Sequence, residues 1–260
     1  MTLDRALSRA GVASRTEAAH IIAAGRVRVD GRVVRDASLW VAPSRQRLEL
    51  DGQPLERRQL LYLALHKPVG YITSHGDPEG RKTIYSLLGE AAPWVFPVGR
   101  LDRDTSGLLL LTNDSAFAER VTNPIQKVSK TYRVKVRPGL KDAGLQRLRD
   151  GLDIGRGEHT APARVEVLRA NERFCWVQIE IAEGKNRQVR RMIEALSHRV
   201  ERLVRTRIGE LELGTMHPGR YAAVPRPHHH ARRSSPRRTA GLARGGGYAR
   251  ARHLHPGAGL

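Results

Sequence analysis

A run of four consecutive leucines at residues 108–111 is the feature of this sequence that most restricts its fold. The run stands in the segment GLLLLT, and the turn-forming pair Asn113-Asp114 follows it directly. A short, continuous apolar segment that ends at a turn is typical of a buried strand. We therefore predict a buried strand here, and we expect the loop that leads into it to be held rigid.

That loop, GRLDRDTSG, alternates two carboxylates with arginines. Asp102 and Asp104 lie beside Arg100 and Arg103. Exposed pairs of this kind are common and contribute only about 0–1 kcal/mol to stability, so one interpretation is an ordinary surface loop. The other is that one carboxylate is catalytic, because a rigid loop is the support that a catalytic group needs. The residues alone leave both interpretations open.

The chain after residue 58 mixes strand and helix patterns. The segments LYLALHK, KTYRVKV, RVEVL and FCWVQIEI predict strands, and SAFAERVT predicts a short helix. In EGKNRQVRRMIEALSH the spacing becomes helical, and the core-facing stripe is Val189, Met192, Ile193 and Leu196. Arg187, Arg190 and Arg191 lie off this stripe and face a cleft or solvent. We predict an α+β domain on a mainly antiparallel mixed sheet with flanking helices.

Residues 1–58 predict a separate small unit of two helices and a short sheet. Ser14 and Glu17 have the spacing of a capping box, and Gly25 is a natural helix stop. Val27 and Val29 alternate with arginines before a tight Asp30-Gly31 turn. The exposed residues include Arg9, Arg15, Arg26, Arg28 and Arg32. They form either a solvated face or, as we favour, a surface for RNA.

The charge of the chain favours a polyanionic partner. The formal net charge is +20, with 46 basic and 26 acidic residues. Residues 225–260 contain eight arginines and no acid, and their Pro, Gly and Ser content predicts a disordered basic tail. Its three histidines, 228–230, are either a metal-binding tract or incidental. We therefore expect domains at residues 1–58 and 59–224, followed by the tail.

The same composition argues against other classes of protein. One cysteine, Cys175, allows no internal disulfide and no cysteine-based metal site. No apolar run is long enough to span a membrane, and the N-terminus lacks the apolar core of a signal peptide. There is no phosphate-binding glycine-rich loop and no nucleophile elbow. We expect a cytoplasmic monomer.

Four segments resemble, in order, the motifs of pseudouridine synthases. GRLDRDTSGLLLLT is similar to the signature loop of that family, and HKPVGYITS to its lysine-proline-glycine segment. KTYRVKV is similar to the strand that carries an active-site tyrosine, and EGKNRQVRRM to a basic strand-to-helix segment. The N-terminal unit is similar to the small alpha-L RNA-binding domain. Over roughly residues 1–224 the chain thus resembles the ribosomal pseudouridine synthases of the RsuA/RluB type.

The resemblance implies roles for individual residues. Asp102 matches the catalytic aspartate, and Asp104, which does not match, is left as loop scaffolding. Tyr132 matches the tyrosine that stacks on the target uracil, and Arg190 matches the basic residue that pairs with the catalytic aspartate. The further candidates for contact with RNA are Lys67, Arg100, Thr105, Asn186, Arg187 and Gln188, together with Arg9, Arg15, Arg26, Arg28 and Arg32.

The implied reaction fits these residue types. Conversion of uridine to pseudouridine breaks a nitrogen–carbon glycosidic bond and joins the sugar to a ring carbon. An ionised aspartate can attack the sugar or the base, or stabilise a cationic sugar. A neighbouring arginine keeps that carboxylate ionised. No redox change or energy input occurs, so we expect no cofactor and no metal.

Two other functions are compatible with parts of the sequence. A non-catalytic RNA-binding factor for ribosome assembly would use the basic surfaces and have no use for Asp102. A nucleoside hydrolase would admit water and release uracil. For the synthase, the expected partner is ribosomal RNA or a ribosomal assembly particle. The spelling NRQVRRM slightly favours the large subunit, and the sequence does not identify the uridine.

Overall fold

The N-terminal helices and strands pack around a core of their own. A computed structural model of the chain describes residues 1–13, 15–55, 59–74, 76–89 and 95–226. The first elements are α1 (Leu3–Arg9), α2 (Arg15–Ala23), β1 (Val27–Val29), β2 (Arg32–Val34), β3 (Leu48–Leu50) and β4 (Gln53–Pro54). The four strands form an antiparallel sheet in the order β2-β1-β3-β4. Leu3, Leu7, Ile22 and Val27 are fully buried between this sheet and the two helices.

Turn geometry explains the short strands of this unit. Asp30 and Gly31 have φ angles of 50° and 80°, which confirms the predicted tight turn between β1 and β2. Asp51 and Gly52 repeat it between β3 and β4, with φ angles of 51° and 79°. The sequence analysis did not predict this second hairpin. The predicted capping box lies partly outside the described residues, because Ser14 is not among them.

The larger part of the chain is built on one mixed sheet. Its elements are β5 (Tyr62–Lys67), β6 (Phe96–Pro97), β7 (Ser106–Thr112), α3 (Ser115–Thr122), β8 (Lys130–Arg137), α4 (Asp142–Asp150), β9 (Arg164–Ala170), β10 (Cys175–Ile181), α5 (Gln188–Glu194), β11 (Arg199–Ile208), β12 (Leu211–Glu212) and β13 (Tyr221–Ala223). The strand order is β13-β5-β7-β11-β8-β10-β9, with β12 on β11 and β6 on β7. Among the strand pairs of the described residues, β7 with β11 is the parallel one. The predicted α+β fold on a mainly antiparallel mixed sheet is confirmed.

The leucine run forms the middle of β7, and every residue of that strand is buried. Leu109 and Leu111 face one core, together with Leu65 and Ile84. Leu108 and Leu110 face the opposite core, which includes Phe117 from α3. Apolar side chains on both faces explain why the run is continuous rather than alternating. The predicted buried strand is confirmed.

A third core of the large sheet lies under α4 and α5, and it confirms the predicted stripe. Its members from α5 and the residues after it are Val189, Met192, Ile193 and Leu196, which pack against Val134, Val177 and Ile179 of the sheet. The helix itself is shorter than its apolar pattern, since it ends at Glu194. The stripe fixes the orientation of α5. Arg190, on the flank of this helix, is therefore directed toward the loop before β7.

The parallel pair β7–β11 depends on one glycine. Gly107 has a φ of 114°, and a Cβ atom built there would lie 2.2 Å from the Arg205 carbonyl oxygen and 2.5 Å from its amide nitrogen. Only glycine combines this φ with such close backbone approach. Gly107 therefore sets the distance between the two strands.

Two predictions about the ends of the domains stay predictions. The boundary at residue 58 falls in a segment, residues 56–58, that lies outside the described residues, and so does the tail from residue 227 onward. In the part of the chain that the structure describes, no helix has the length and apolarity needed to cross a membrane.

Candidate active site

A cleft of about 1110 Å³ opens on the face of the large sheet that carries Tyr132. One wall is the loop 98–105 before β7, and the opposite wall is the segment 183–190 that leads into α5. Lys130, Tyr132 and Arg205 line it from the sheet. Val69, Gly70, Ile72 and Thr73 line it as well, so the cleft brings together all four of the segments that the sequence analysis singled out.

The aspartate loop is fastened from several sides. Thr73 bonds the backbone of Leu101 twice, because its hydroxyl donates to the carbonyl at 2.8 Å and accepts from the amide at 3.2 Å. The Gly70 amide donates to the Arg103 carbonyl at 2.8 Å, and the Thr105 amide to the Asp102 carbonyl at 3.1 Å. Backbone held by this many bonds cannot reorient freely, as the sequence analysis expected.

Lys67 supports the same loop from below. Its side chain is fully buried, and Nζ donates to the carbonyls of Thr105 at 2.8 Å and Pro68 at 3.0 Å. Burial lowers the pKa of Lys67 to about 8, while the charges of Asp102 and Asp104 act in the opposite direction. Lys67 does not line the cleft, so it supports the loop rather than contacting RNA as predicted.

The contacts of Arg187 and Arg190 with the two aspartates differ from the predicted ones. Arg190 Nη2 lies 3.1 Å from the Asp104 carboxylate and donates to the Asp104 carbonyl at 2.8 Å. Arg187 Nη1 lies 3.6 Å from Asp102 and 3.3 Å from Asp104. The predicted Arg190–Asp102 pair is therefore wrong in this structure. The turn at residues 102–105 directs the Asp104 backbone and side chain toward α5, and Asp102 contacts Arg187 instead.

Both arginines are held in unusual settings. Arg187 is the N-cap of α5 and has left-handed backbone angles, with φ 48° and ψ 32°. A residue other than glycine adopts this conformation at a cost in conformational free energy. Arg190 is almost fully buried, and this burial lowers its pKa, opposed chiefly by the charge of Asp104. Its Nε has no hydrogen-bond acceptor among the described residues. Strain and incomplete pairing at one place are typical of functional sites.

Tyr132 presents its ring to the cleft from β8. The ring is half-buried and packs against both apolar cores that meet under the cleft. A flat apolar face with one polar tip is suited to stacking on a nucleobase. Thr105 is buried beside Arg190, at 3.5 Å, whereas Arg100 is exposed at the cleft rim.

The other cleft residues of the α5 segment have mixed functions. Gln188 is buried, accepts from the Lys185 amide at 3.0 Å and donates to the Glu183 carboxylate, so it braces the turn before α5. Asn186 is exposed at the same turn and lines the cleft. Arg191, predicted to face a cleft or solvent, instead bonds the Ile154 carbonyl at 3.0 Å and the Glu158 carboxylate.

Lys130 and Arg205 line the cleft, and sequence reasoning missed both. Lys130 stands two residues before Tyr132 in an alternating strand, so the pattern already placed the two side chains on one face. Arg205 belongs to β11, and no strand was predicted there because RVERLVRTRI contains four arginines. Its Nε donates to the Leu108 carbonyl at 2.7 Å.

The candidate arginines of the N-terminal unit lie on its surface and do not line this cleft. Two of them have acidic partners, since Arg15 lies 2.9 Å from Asp4 and Arg26 bonds Asp51 twice, at 2.9 and 2.6 Å. Arg28 donates to the Gly31 carbonyl at 3.1 Å. Arg9 and Arg32 are exposed as well.

Within the described ranges, no group of three or more His, Cys, Asp or Glu side chains is placed to hold a metal ion.

Comparison with known proteins gives a consistent result over most of the chain. Residues 61–195 match the family model for RNA pseudouridylate synthase, and residues 1–45 match that for the S4 domain. An uncharacterized RNA pseudouridine synthase of Aquifex aeolicus is 38% identical over 220 residues, which cover 84% of this chain and 88% of that protein. Ribosomal large subunit pseudouridine synthase B of Bacillus subtilis is 39% identical over 219 residues, covering 84% and 89%.

Similarity extends to three-dimensional structure. A crystal structure of a pseudouridylate synthase superposes with a TM-score of 0.62 at 28% identity, and the match covers 86% of this chain and 96% of that one.

Proposed function

The chain belongs to the RNA pseudouridylate synthase family, and on that premise we propose that it isomerises a specific uridine of ribosomal RNA, with Asp102 as the reacting carboxylate. The observation that carries the assignment of Asp102 is its position: its loop is bonded on several sides, and it lines the same cleft as Tyr132. Its carboxylate lies 3.6 Å from Arg187 Nη1, an ion pair that helps to hold it in the cleft.

Each cleft residue has a task in this proposal. The uracil of a flipped-out uridine stacks on Tyr132, which places the glycosidic bond beside Asp102. When that bond breaks, the carboxylate meets the positive charge that develops on the sugar carbon. Tyr132 keeps the detached ring in the cleft while it turns to present C5. Arg187 and Arg190 hold the acidic loop against α5, so that Asp102 does not move during these steps.

Asp104 takes a larger part than scaffolding alone. It bonds both arginines, and it is the link between the loop and α5. We therefore treat Asp104 as a positioning residue for Arg190 and Asp102.

The N-terminal unit supplies affinity for RNA in this proposal. Its exposed arginines contact phosphates in a way that is independent of base sequence, which offsets the few kcal/mol needed to flip a base out. We propose domain limits at residues 1–58 and 59–224, with the basic tail as a further non-specific contact. The Bacillus subtilis relative is named for the large ribosomal subunit, and this supports the large-subunit RNA as substrate. We propose a monomer that acts in the cytoplasm, on ribosomal RNA or an assembly particle.

The test compares two neighbouring carboxylates. Wild type, Asp102→Asn and Asp104→Asn are incubated with unmodified ribosomal RNA of both subunits, and pseudouridine is mapped chemically. Asp102→Asn should lower the single-turnover rate at least about 10³-fold. Asp104→Asn should retain measurable activity at the same uridine, because it disturbs only the support of Asp102.

Three outcomes would contradict the proposal. An Asp102→Asn variant that isomerises uridine at the wild-type rate removes Asp102 from the reaction. A wild-type protein that binds ribosomal RNA but forms no pseudouridine is a binding factor. Release of free uracil by the wild type indicates a hydrolase.

A further inference from the structure

Two cations on the floor of the cleft have no acidic partner among the described residues. Lys130 and Arg205, here called the Lys130–Arg205 pair, make no ion pair within the described residues, although both line the cleft. Arg205 is only 5% exposed, and its Nη2 is buried with no hydrogen-bond acceptor in the part of the chain that the structure describes. A buried charged group with an unmade hydrogen bond destabilises the fold, because it has lost its water and gained no partner in exchange. A fold that keeps such a group at a ligand cleft gains from it when the ligand is bound.

The strand register puts this pair beside the stacking tyrosine. Arg205 of β11 is the cross-strand partner of Tyr132 of β8, and Lys130 lies two residues before Tyr132 on the same strand. Cross-strand partners have Cβ atoms about 4.5–5.5 Å apart on one face of a sheet. A ring stacked on Tyr132 therefore brings its edge, where the carbonyl oxygens of a pyrimidine lie, toward the Lys130–Arg205 pair.

The two ends of the cleft differ in charge balance. At the Asp102 end, two carboxylates face two arginines. At the Tyr132 end, the cations lack such a partner, and burial together with the charge of Arg205 lowers the pKa of Lys130. The positive charges at the Tyr132 end are therefore unfavourable until a negatively charged group binds beside them.

We propose that the Lys130–Arg205 pair is an oxyanion site that stabilises the detached uracil through its carbonyl oxygens. This inference rests on the proposed function. When the N1–C1′ bond breaks, its electron pair leaves with N1, so the ring becomes an anion and C1′ gains the positive charge that Asp102 meets. The ring charge is shared with the carbonyl oxygens beside the pair. C5 then bonds C1′ with ring electrons, which leaves a neutral ring that still carries the C5 proton. Loss of that proton from C5 and uptake of a proton at N1 restore the aromatic base.

An RNA phosphate would also neutralise the pair, and the register argues against it. The two cations flank Tyr132 on the floor of the cleft, and Arg205 is almost entirely covered by protein. A backbone phosphate, which is larger and strongly hydrated, is better matched by exposed arginines such as Arg100 at the cleft rim. The ring edge is the part of the substrate that reaches the floor.

The experiment uses two faces of one strand. Lys130→Met removes a positive charge on the cleft face of β8, and Arg133→Met removes one from the opposite, exposed face. Lys130→Met should lower the single-turnover rate of pseudouridine formation by about 10²-fold, while its affinity for RNA changes no more than that of Arg133→Met. Arg205→Met should act in the same direction, and Arg205→Lys should recover part of the rate because it keeps the charge.

A second arm varies the ring. RNA with 5-fluorouridine at the target forms a more stable ring anion, so the defect of Lys130→Met in consuming that nucleoside should be smaller than its defect with uridine. Thermal unfolding of each variant separates loss of rate from loss of fold, and Lys130→Met keeps the test open if Arg205→Met does not fold.

The outcomes separate cleanly. Equal rates for Lys130→Met and Arg133→Met overturn the oxyanion site while leaving the synthase intact. A fall in RNA affinity as large as the fall in rate, with a smaller salt dependence, identifies a phosphate site and overturns it too. If Lys130→Met slows the consumption of 5-fluorouridine as much as that of uridine, the oxyanion site is also overturned. Failure of the wild type itself to form pseudouridine on this RNA refutes the proposed function, and with it this inference.

Discussion

The arginines of the N-terminal unit and the buried cations in and beneath the cleft carry the same charge in opposite settings. Arg28 and Arg32 lie on opposite faces of a three-residue strand pair, and both side chains are exposed to water. Lys67, Arg190 and Arg205 are almost wholly covered by protein, and each donates to a backbone carbonyl of the aspartate loop, its neighbouring turn or β7. An exposed cation adds affinity for RNA at little cost to the fold. A buried cation is part of the fold, so its loss changes stability and rate together.

Gly107→Ala should have the largest effect, because it disturbs the strand pair that holds the buried Arg205. The added Cβ meets the Arg205 backbone at 2.2 Å, so β7 and β11 must separate and Arg205 must move away from the Leu108 carbonyl. We expect a loss of about 4 kcal/mol or more in the free energy of unfolding, measured by urea denaturation. Gly76→Ala is the control, since a Cβ there meets no atom within 4 Å. Equal stability of the two variants would show that the close approach is not needed.

Lys67 gives a pH test of moderate size. Its pKa is about 8 in the folded protein, against the ordinary 10.5 of a solvated lysine, so between these pH values the unfolded chain binds a proton that the folded protein does not. The free energy of unfolding of the wild type should therefore rise with pH in this window relative to Lys67→Met, by at most about 1.4 kcal/mol per pH unit. Below pH 8 both states carry the proton, and the difference should be constant. A flat difference from pH 8 to 10.5 would mean that Lys67 keeps its ordinary pKa.

The exposed arginines should give the smallest effect. Arg28→Gln combined with Arg32→Gln removes two surface charges without touching a core. We expect each lost phosphate contact to reduce the salt slope of RNA binding by about 1, with the rate at saturating RNA unchanged. Binding measured over a range of salt concentrations checks this, and Arg5→Gln, an exposed change on α1, tests whether any surface arginine has the same effect. A lower rate at saturation would place the N-terminal strands in the reaction itself.

Sequence patterns predicted the parts of the fold in which apolar residues decide. The leucine run, the alternation around Val27 and Val29, and the stripe that includes Val189 and Met192 all lie where expected, because burial requires these spacings. Strand β11 was missed because a charged residue, Arg205, occupies a buried position of its pattern. The buried Arg205 donates there to the Leu108 carbonyl, a contact that no sequence pattern indicates.

The sequence predicted which residues belong to the site better than it predicted the contacts between them. Family resemblance placed Asp102, Tyr132 and Arg190 together, and the structure brings all three to one cleft. Which carboxylate contacts which arginine depends on how the turn after Asp102 directs the side chain of Asp104, so the Arg190–Asp102 pair was wrong. The Asp51-Gly52 hairpin shows the opposite case, since the same dipeptide that predicted the first turn was present and was not used.

The parallel pairing of β7 with β11 has a consequence for the folding of the enzyme during its synthesis. Arg205 and the carbonyl it bonds on Leu108 are 97 residues apart, so the cleft has no floor until nearly all of the domain has been synthesised. Contacts so distant in sequence form late and slowly compared with local ones. A nascent chain that has passed the aspartate loop but not reached β11 would carry Asp102 without the strand that completes its cleft. We expect such a chain to be inactive, so that activity begins only when synthesis has passed β11.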